Sequence, residues 1–388
     1  MKNIIIGLLI VVNLRAENYE ELLEQAMQNN AQLKIVQSQQ EELSIQGQIN
    51  TRLTNPKLEL EVADFSSSFL TKSNKFGGRA GLSQSLLLPH IKEDKENITA
   101  IEIEVEKERY SLQKSDFIYR FNLKYLDHSK AVAKVELHRK VLNISQDLLE
   151  IVRQRYEHGA IAKSEFLEAK LADQVLLNQL QVLKFEVKKF KNSLLTFSSL
   201  PQQTNIEGVH LFQPFSTQNT HPFIKLNRAE KKVSQAKLEL LQHSVESVEV
   251  FSELEREPDQ DVFRVGFSID LPTFNLHNEE KQLEKIKISN HQLLIATQER
   301  EVNLKIEQLK AEQMSVEELS QGYAQFILEQ KELFYMYQQS YKLAKVNFIK
   351  LQKVLQSIVK TEKKLLTNRF SIKENVIKIN YLLGAYNE

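Results

Sequence analysis

Two hydrophobic patterns alternate along the chain. Between residues 90 and 200, and again between 273 and 388, no proline occurs and the helix formers Leu, Lys, Glu and Gln are abundant. Apolar residues recur there every three or four positions, a spacing typical of coiled coils, for example at Leu180, Leu183, Val187, Phe190, Leu194 and Phe197. We predict four long helices, at about 90–157, 163–198, 275–342 and 348–384.

Shorter segments ahead of each helical stretch alternate apolar and polar residues with the period of two that strands require. The clearest is "VFRVGFSIDL" at 262–271, where the apolar positions oppose Arg264, Gly266, Ser268 and Asp270. We predict strands at about 56–66, 76–88, 244–254 and 262–271. Polar turn segments join the two strands of each pair, which predicts two β-hairpins.

The same order of elements occurs twice, which indicates a duplicated half-subunit. "LLLP" ends at Pro89 and "IDLP" ends at Pro272, each directly ahead of a long helical stretch. We predict a first repeat over residues 17–200 and a second over 223–388. Residues 201–222, which hold three prolines, form the predicted linker.

A single glycine interrupts the first helical stretch. In "RYEHGAIAKSEFLEAK", Gly159 is the only glycine between Pro89 and Pro201. Glycine reaches left-handed backbone angles without steric penalty, and helices commonly end at such a residue. We therefore predict that the chain reverses there; the alternative is a tolerated glycine inside a continuous helix. Ser164 is expected to cap the returning helix, with Glu165 near its positive end.

Composition removes several kinds of function. The chain has no cysteine, which excludes disulfides, thiolate metal sites and a cysteine nucleophile. Lys plus Arg and Asp plus Glu both number 51, and the resulting zero net charge gives no support to nucleic-acid binding. There is no phosphate-binding glycine loop and no serine nucleophile motif. We predict that the protein is not an enzyme, has no catalytic residues and needs no cofactor.

The nine histidines are scattered, and no two have the i,i+4 spacing of a helical zinc site. We predict no metal site. His158, next to Gly159, is the best candidate for a histidine that contacts passing metal ions, although a solvated surface histidine is the simpler interpretation.

The N-terminus has the features of a signal peptide over residues 1–16. Lys2 precedes the apolar run Ile4–Val12, and a cleavage site is expected after Ala16. The alternative is an N-terminal anchor, but the run is shorter than the ~20 residues that span a bilayer. We therefore expect an exported protein.

Four strands are too few to close a barrel, and an open sheet edge is untenable in lipid. If the apolar strand faces meet lipid, several chains must share one barrel. A helix from Ile91 to Glu157 would be ~100 Å long at about 1.5 Å per residue. That length suits a helical tube in which the chain runs down and then returns.

This ordered set of features resembles the TolC-type outer-membrane efflux proteins. It comprises two copies of a hairpin and a long helix pair, the strand ends "SQSLLLP" and "SIDLP", the "RYEHGAIAKSEFLEAKL" turn, and the terminal "YLLGAYNE". The resemblance implies a mainly α fold with a small β part and a homotrimer. Four strands per chain would complete a shared trimeric β-barrel in outer-membrane lipid, and the helices would form a periplasmic α-helical barrel. Chain length and the absent lipidation cysteine make the CzcC-like, metal-efflux branch the best match.

The resemblance also assigns roles to particular positions. The periplasmic tip, which docks an adaptor protein, corresponds to Gly159, Ala160, Ile161 and Ala162 in the first repeat and to Ala344, Lys345, Val346 and Asn347 in the second. A constriction corresponds to Ser164 and Glu165. By strand alternation, Arg264, Ser268 and Asp270 are expected to face the barrel lumen. The second tip departs from the family because Ala344 replaces the usual glycine. Asn347 is expected to supply the left-handed residue there.

The implied function is a passive outer-membrane exit duct of a Gram-negative tripartite efflux system. Its partners would be a periplasmic adaptor and an inner-membrane pump of the RND type, with heavy-metal cations as cargo. Three copies of Glu165 would form an acidic ring that favours cations. The alternatives are a multidrug or type I secretion duct of the same family, or a soluble periplasmic coiled-coil scaffold.

Overall fold

A computed structural model describes residues 19–64, 76–206, 210–214, 219–257, 259–274 and 276–387. The predicted signal peptide, residues 1–16, lies outside these ranges. The fold is mainly helical with one small antiparallel sheet, which confirms the predicted fold class.

The four long helices begin and end within three residues of their predicted bounds. In chain order the described helices are α1 (19–29), α2 (Ala31–Thr51), α3 (Pro89–Glu157), α4 (Lys163–Phe197), α5 (Pro222–Leu240), α6 (Asn278–Lys342) and α7 (Phe348–Leu382), followed by a 3₁₀ turn at Ala385–Asn387. None of the described helices is apolar over a stretch long enough to cross a membrane.

The chain divides into two compact units, and each unit takes segments from both sequence repeats. The helical unit contains the chain up to Leu33, together with Leu112–His221 and Arg300–Glu388. The sheet unit contains Lys34–Ser111 and Pro222–Glu299. The repeats are therefore interleaved in space instead of forming one unit each.

The sheet has the order β1 (Lys57–Asp64), β2 (Phe76–Leu87), β3 (Ser247–Arg256) and β4 (Asp261–Ser268), with every neighbouring pair antiparallel. Each predicted hairpin forms, and the β2–β3 pairing joins one repeat to the other. β1 and β4 are edge strands within the chain.

The predicted bounds of the last two strands were wrong by a few residues. β3 begins at Ser247 instead of about 244, and β4 ends at Ser268 instead of about 271. Pro272 cannot donate a ladder hydrogen bond. The backbone N–H of Thr273 bonds the carbonyl of Leu271 at 2.8 Å instead, which turns the chain away.

The two faces of the sheet differ in polarity because successive side chains point to opposite sides. One face carries large apolar side chains that are exposed in the single chain, namely Leu58, Leu60, Val62, Leu82, Leu86, Val250, Leu254, Phe263, Val265 and Phe267. The opposite face carries charged side chains. Arg79 there lies 2.8 Å from Glu253 and 3.4 Å from Glu61.

Aromatic side chains form a core in the helical unit. Tyr19 packs edge-on against Tyr125 with ring centroids 5.1 Å apart, and its hydroxyl donates to Asn122 Oδ1. Phe121 and Leu195 are fully buried beside them. This core fixes α1 against α3 and α4.

Three histidines of the helical unit make its stability dependent on pH. Burial lowers the pKa values of His128, His210 and His221 below the ordinary value. A histidine that is neutral in the folded state takes up its proton more readily when unfolded.

We predict that these three histidines do not reduce the free energy of unfolding above about pH 6.5, where histidine is neutral in the unfolded chain. The free energy of unfolding should decline as the pH falls below that value, by up to ~1.4 kcal/mol per pH unit for each histidine, until the folded pKa is reached. Thermal unfolding followed by circular dichroism between pH 7.5 and 5.5 measures this slope. His128→Gln should make the slope shallower, because it removes one buried group that takes up a proton on unfolding. Equal slopes for wild type and His128→Gln would contradict the prediction.

Candidate functional site: the two helix turns

The chain reverses between α3 and α4 at Gly159, as the sequence predicted. Gly159 has a φ of 69°. Its N–H bonds the carbonyl of Tyr156 at 2.9 Å, and the N–H of Ala160 bonds the carbonyl of Arg155 at 2.8 Å. These two bonds define a Schellman motif, which satisfies the last carbonyl groups of a helix.

The prediction that Ser164 caps α4 was wrong. The N-cap residue is Ala162, and no side chain accepts a capping hydrogen bond there. Because α4 begins at Lys163, Ser164 is already helical and cannot occupy the extended N-cap position. Glu165 does lie in the first turn of α4, where the helix dipole favours a carboxylate.

The second turn, between α6 and α7, repeats the backbone geometry of the first. The N–H of Ala344 bonds the carbonyl of Tyr341 at 3.0 Å, and the N–H of Lys345 bonds that of Ser340 at 2.9 Å. The left-handed residue is Ala344, with a φ of 59°. The expectation that Asn347 supplies it was therefore wrong.

Asn347 instead caps α7. Its backbone is extended, and its side chain accepts a hydrogen bond from the N–H of Lys350 at 3.1 Å. Asparagine is among the preferred residues for this position. The left-handed backbone conformation of Ala344 costs ~1–2 kcal/mol relative to an ordinary helical or extended one.

A polar network joins the two turns through Tyr341. Arg155 Nη1 donates to the backbone carbonyl of Tyr341 at 2.7 Å, and the guanidinium carbon lies 4.4 Å from the Tyr341 ring centroid. The Tyr341 hydroxyl donates to Glu165 Oε1 at 2.9 Å. One residue of α6 is thereby held by side chains from both α3 and α4.

Burial and the neighbouring carboxylate of Glu165 raise the pKa of Tyr341 well above that of an exposed tyrosine. The hydroxyl therefore stays protonated at physiological pH and remains a donor. Sequence reasoning missed Arg155 and Tyr341. Their separation by 186 positions along the chain leaves no local signal that they meet.

An apolar cluster supports the turns from beneath. Val152 and Leu351 are fully buried, and Phe348 is nearly so. Tyr156 stacks on Phe166 with ring centroids 5.1 Å apart. We call this set the turn cluster; its buried members are Leu148, Val152, Ala169, Tyr341, Phe348, Leu351 and Leu355.

Most residues assigned to the tip are exposed. Only Ile161 and Val346 are partly buried, and Ile161 packs on the turn cluster. The exposed members are Gly159, Ala160, Ala162, Ala344, Lys345 and Asn347, with Ser164 beside them. The two turns thus present small and polar residues on a rigid support.

His158 is exposed, and its Nδ1 lies 2.6 Å from the carbonyl of Gln154 in its own helix. That contact favours the interpretation as a surface histidine. Within the described residues, no three His, Cys, Asp or Glu side chains come close enough together to hold a metal ion.

The predicted lumen residues fall into two groups. Arg264 lies on the charged face of the sheet, where it pairs with Glu255 and lies 3.9 Å from Glu253. Ser268 is on the same face, opposite Glu249. Asp270 lies beyond the end of β4, so strand alternation does not place it on either face of the sheet.

Comparison with known proteins adds the fold class. No protein family model matches the sequence, and no curated protein matches it. The structure is similar to that of CusC, described in a study of transmembrane channel formation, with 13% identity, a TM-score of 0.75, and coverage of 94% of this chain and 91% of CusC.

Two further structures extend the likeness. The outer membrane protein VceC from Vibrio cholerae has 13% identity and a TM-score of 0.75 over 94% of this chain and 95% of VceC. The open state of the MtrE outer membrane channel from Neisseria gonorrhoeae has 14% identity and a TM-score of 0.72 over 94% and 88%. The chain therefore has the fold of bacterial outer-membrane channel proteins over nearly its whole length.

The two turns offer a matched pair of substitutions. Gly159→Ala should lower the free energy of unfolding by ~1–2 kcal/mol, because alanine is strained at a left-handed φ. Apart from the adjacent residues of the chain, no heavy atom lies within 4 Å of the added Cβ, so the effect is one of backbone conformation. Ala344→Gly should stabilise by up to ~1 kcal/mol, because relief of strain exceeds the entropy cost of glycine.

Thermal unfolding of the purified protein and hydrogen exchange at residues 155–162 and 340–347 measure both effects. Gly322→Ala is the control, since Gly322 lies inside α6 with open space around it. That change should stabilise by ~1 kcal/mol. If Gly159→Ala also stabilised the protein, the left-handed turn at Gly159 would be wrong.

Proposed function

We propose that the protein is the outer-membrane channel component of a tripartite efflux system. It acts as a passive exit duct across the outer membrane and periplasm of a Gram-negative bacterium. The observation that carries the proposal is the sheet of four strands, apolar and exposed on one face and charged on the other, in a chain with the fold of outer-membrane channels.

The functional form is a homotrimer. β1 of one chain pairs with β4 of the next, so that three chains contribute twelve strands and leave no free edge. The apolar face then meets outer-membrane lipid, and Arg264 and Ser268 line a water-filled lumen. The energy for transport comes from an inner-membrane pump of the RND type.

The two turns form the periplasmic end of the duct and dock the adaptor protein. Their exposed small and polar residues are open to a partner, whereas Tyr341 and the turn cluster hold the backbone in place. Glu165 lies at the narrowest point, and its three copies form an acidic ring that attracts cations.

Heavy-metal cations are the proposed cargo. Chain length and the absence of a lipidation cysteine support this, through the resemblance to the metal-efflux branch. Drugs or a secreted polypeptide are the alternative cargoes for the same kind of duct. Growth of a strain that lacks the chain, on zinc, cadmium, nickel, cobalt and copper beside bile salts and antibiotics, separates them.

The duct itself is tested by cell fractionation. We expect the chain in the outer-membrane fraction, as a trimer that dissociates on heating before electrophoresis. A soluble periplasmic scaffold would instead appear in the periplasmic extract without membrane lipid. That result would overturn the proposed channel.

Glu165→Gln should reduce cation selectivity in planar bilayers. Glutamine keeps an oxygen that accepts the Tyr341 hydrogen bond, so the change removes charge and preserves the contact. In a KCl gradient the reversal potential should move towards zero while conductance persists. Glu312→Gln, at an exposed position in α6, is the control and should leave the potential unchanged. An unaltered reversal potential for Glu165→Gln would refute the acidic ring.

A further inference from the structure

An apolar groove of about 480 Å³ opens between α3, α4 and α7 inside the helical unit. Its floor is formed by Leu148, Ala169 and Leu355, which are buried, and its walls include Val175 and Val359. The volume falls in the range of small-molecule sites, roughly 300–1,000 Å³.

Among the described residues, the charged side chains that line the groove are all positive. Two lysines of α7, Lys360 and Lys363, line it and are exposed. They lie three residues apart and so share one side of the helix. The other polar lining residues are Ser145, Gln179, Gln352 and Gln356, and no carboxylate lines the groove among the described residues.

We propose that this groove binds a single-chain anionic amphiphile, specifically a medium-chain fatty carboxylate. The alkyl chain lies along the apolar floor, and the carboxylate lies between Lys360 and Lys363. A flexible alkyl chain fits an apolar groove of this volume and packs against its walls. A cationic amphiphile of equal length would gain the same apolar contact but would be repelled by the two lysines.

The groove is joined to the turn cluster. Leu148, Ala169, Phe348 and Leu355 belong to both. A ligand in the groove therefore packs against the side chains that support the turns, and it should raise the unfolding temperature of the helical unit. This binding does not depend on transport, and the site can be tested whether or not the chain is a duct.

α7 provides a matched control for the charge. Lys364 is adjacent to Lys363, but its Nζ lies 5.4 Å from the ring centroid of Tyr323 and it does not line the groove.

α4 provides a control for the wall. Val175 lines the groove and is 53% exposed, whereas Val182 is 61% exposed and lies outside it. Both valines are exposed enough to accept glutamate without loss of the fold.

The test is calorimetric titration of the purified full chain in phosphatidylcholine nanodiscs, with empty nanodiscs as the blank, or in plain buffer if fractionation finds the chain soluble. Octanoate, decanoate and dodecanoate should bind with affinity that rises about fourfold per added methylene. The Lys360→Ala, Lys363→Ala double variant should bind at least about tenfold more weakly, as should Val175→Glu. Lys364→Ala and Val182→Glu should bind like wild type.

Dodecyltrimethylammonium at the same concentrations separates charge recognition from partition into apolar space. Binding as tight as that of dodecanoate would overturn the proposal, and so would equal loss of affinity in Lys364→Ala. Absence of binding to the wild type would also overturn the proposal.

Discussion

The two free edges of the four-stranded sheet impose the constraint on which the rest of the structure depends. β1 and β4 each lack a neighbouring strand on one side, and one face of the sheet exposes side chains such as Leu60 and Phe267, each at 73%. Unpaired backbone groups and a continuous apolar face are both unfavourable in water. In the proposed trimer, pairing of β4 of one copy with β1 of the next would satisfy the backbone groups, and lipid would cover the apolar face. Both features of the sheet therefore favour the closed assembly proposed above.

The two turns have equivalent backbones but complementary side chains. Both reversals use the same pair of backbone hydrogen bonds, around Gly159 in one and Ala344 in the other. The side chains that connect them are not equivalent. The first repeat contributes Arg155 and Glu165, whereas the second contributes Tyr341, which both of them contact. Two turns with the same backbone geometry are thereby joined by contacts that neither turn makes alone.

Features with a repeating local signal could be predicted from the sequence. Apolar residues at every third or fourth position located α3 and α6. Apolar residues at every second position located β4 and placed Arg264 on the charged face. Features that depend on which of several adjacent residues takes a cap or turn position, or on contacts distant in sequence, could not be predicted. Ser164 is a good capping residue by type, but the extended backbone that a cap needs falls at Ala162. Ala344 is an unfavourable left-handed residue, yet packing of Tyr341 and Phe348 on either side fixes the turn there. The contact between Arg155 and Tyr341 exists only once the helices pack.

The chemistry of Tyr341 limits how the turns can rearrange. Its hydroxyl stays protonated at physiological pH because burial and Glu165 raise its pKa. Loss of a proton from the tyrosine therefore cannot break its hydrogen bond to Glu165 in that range. Separation of the turns must instead exchange the bonds from Arg155 and to Glu165 for others, and each such bond contributes only ~1 kcal/mol net. The larger resistance comes from the turn cluster, since exposing Leu351 or Phe348 would cost about 1.5–3 kcal/mol for each side chain. Separation of the turns therefore works chiefly against apolar packing, and the hydrogen bonds of Tyr341 add a smaller cost.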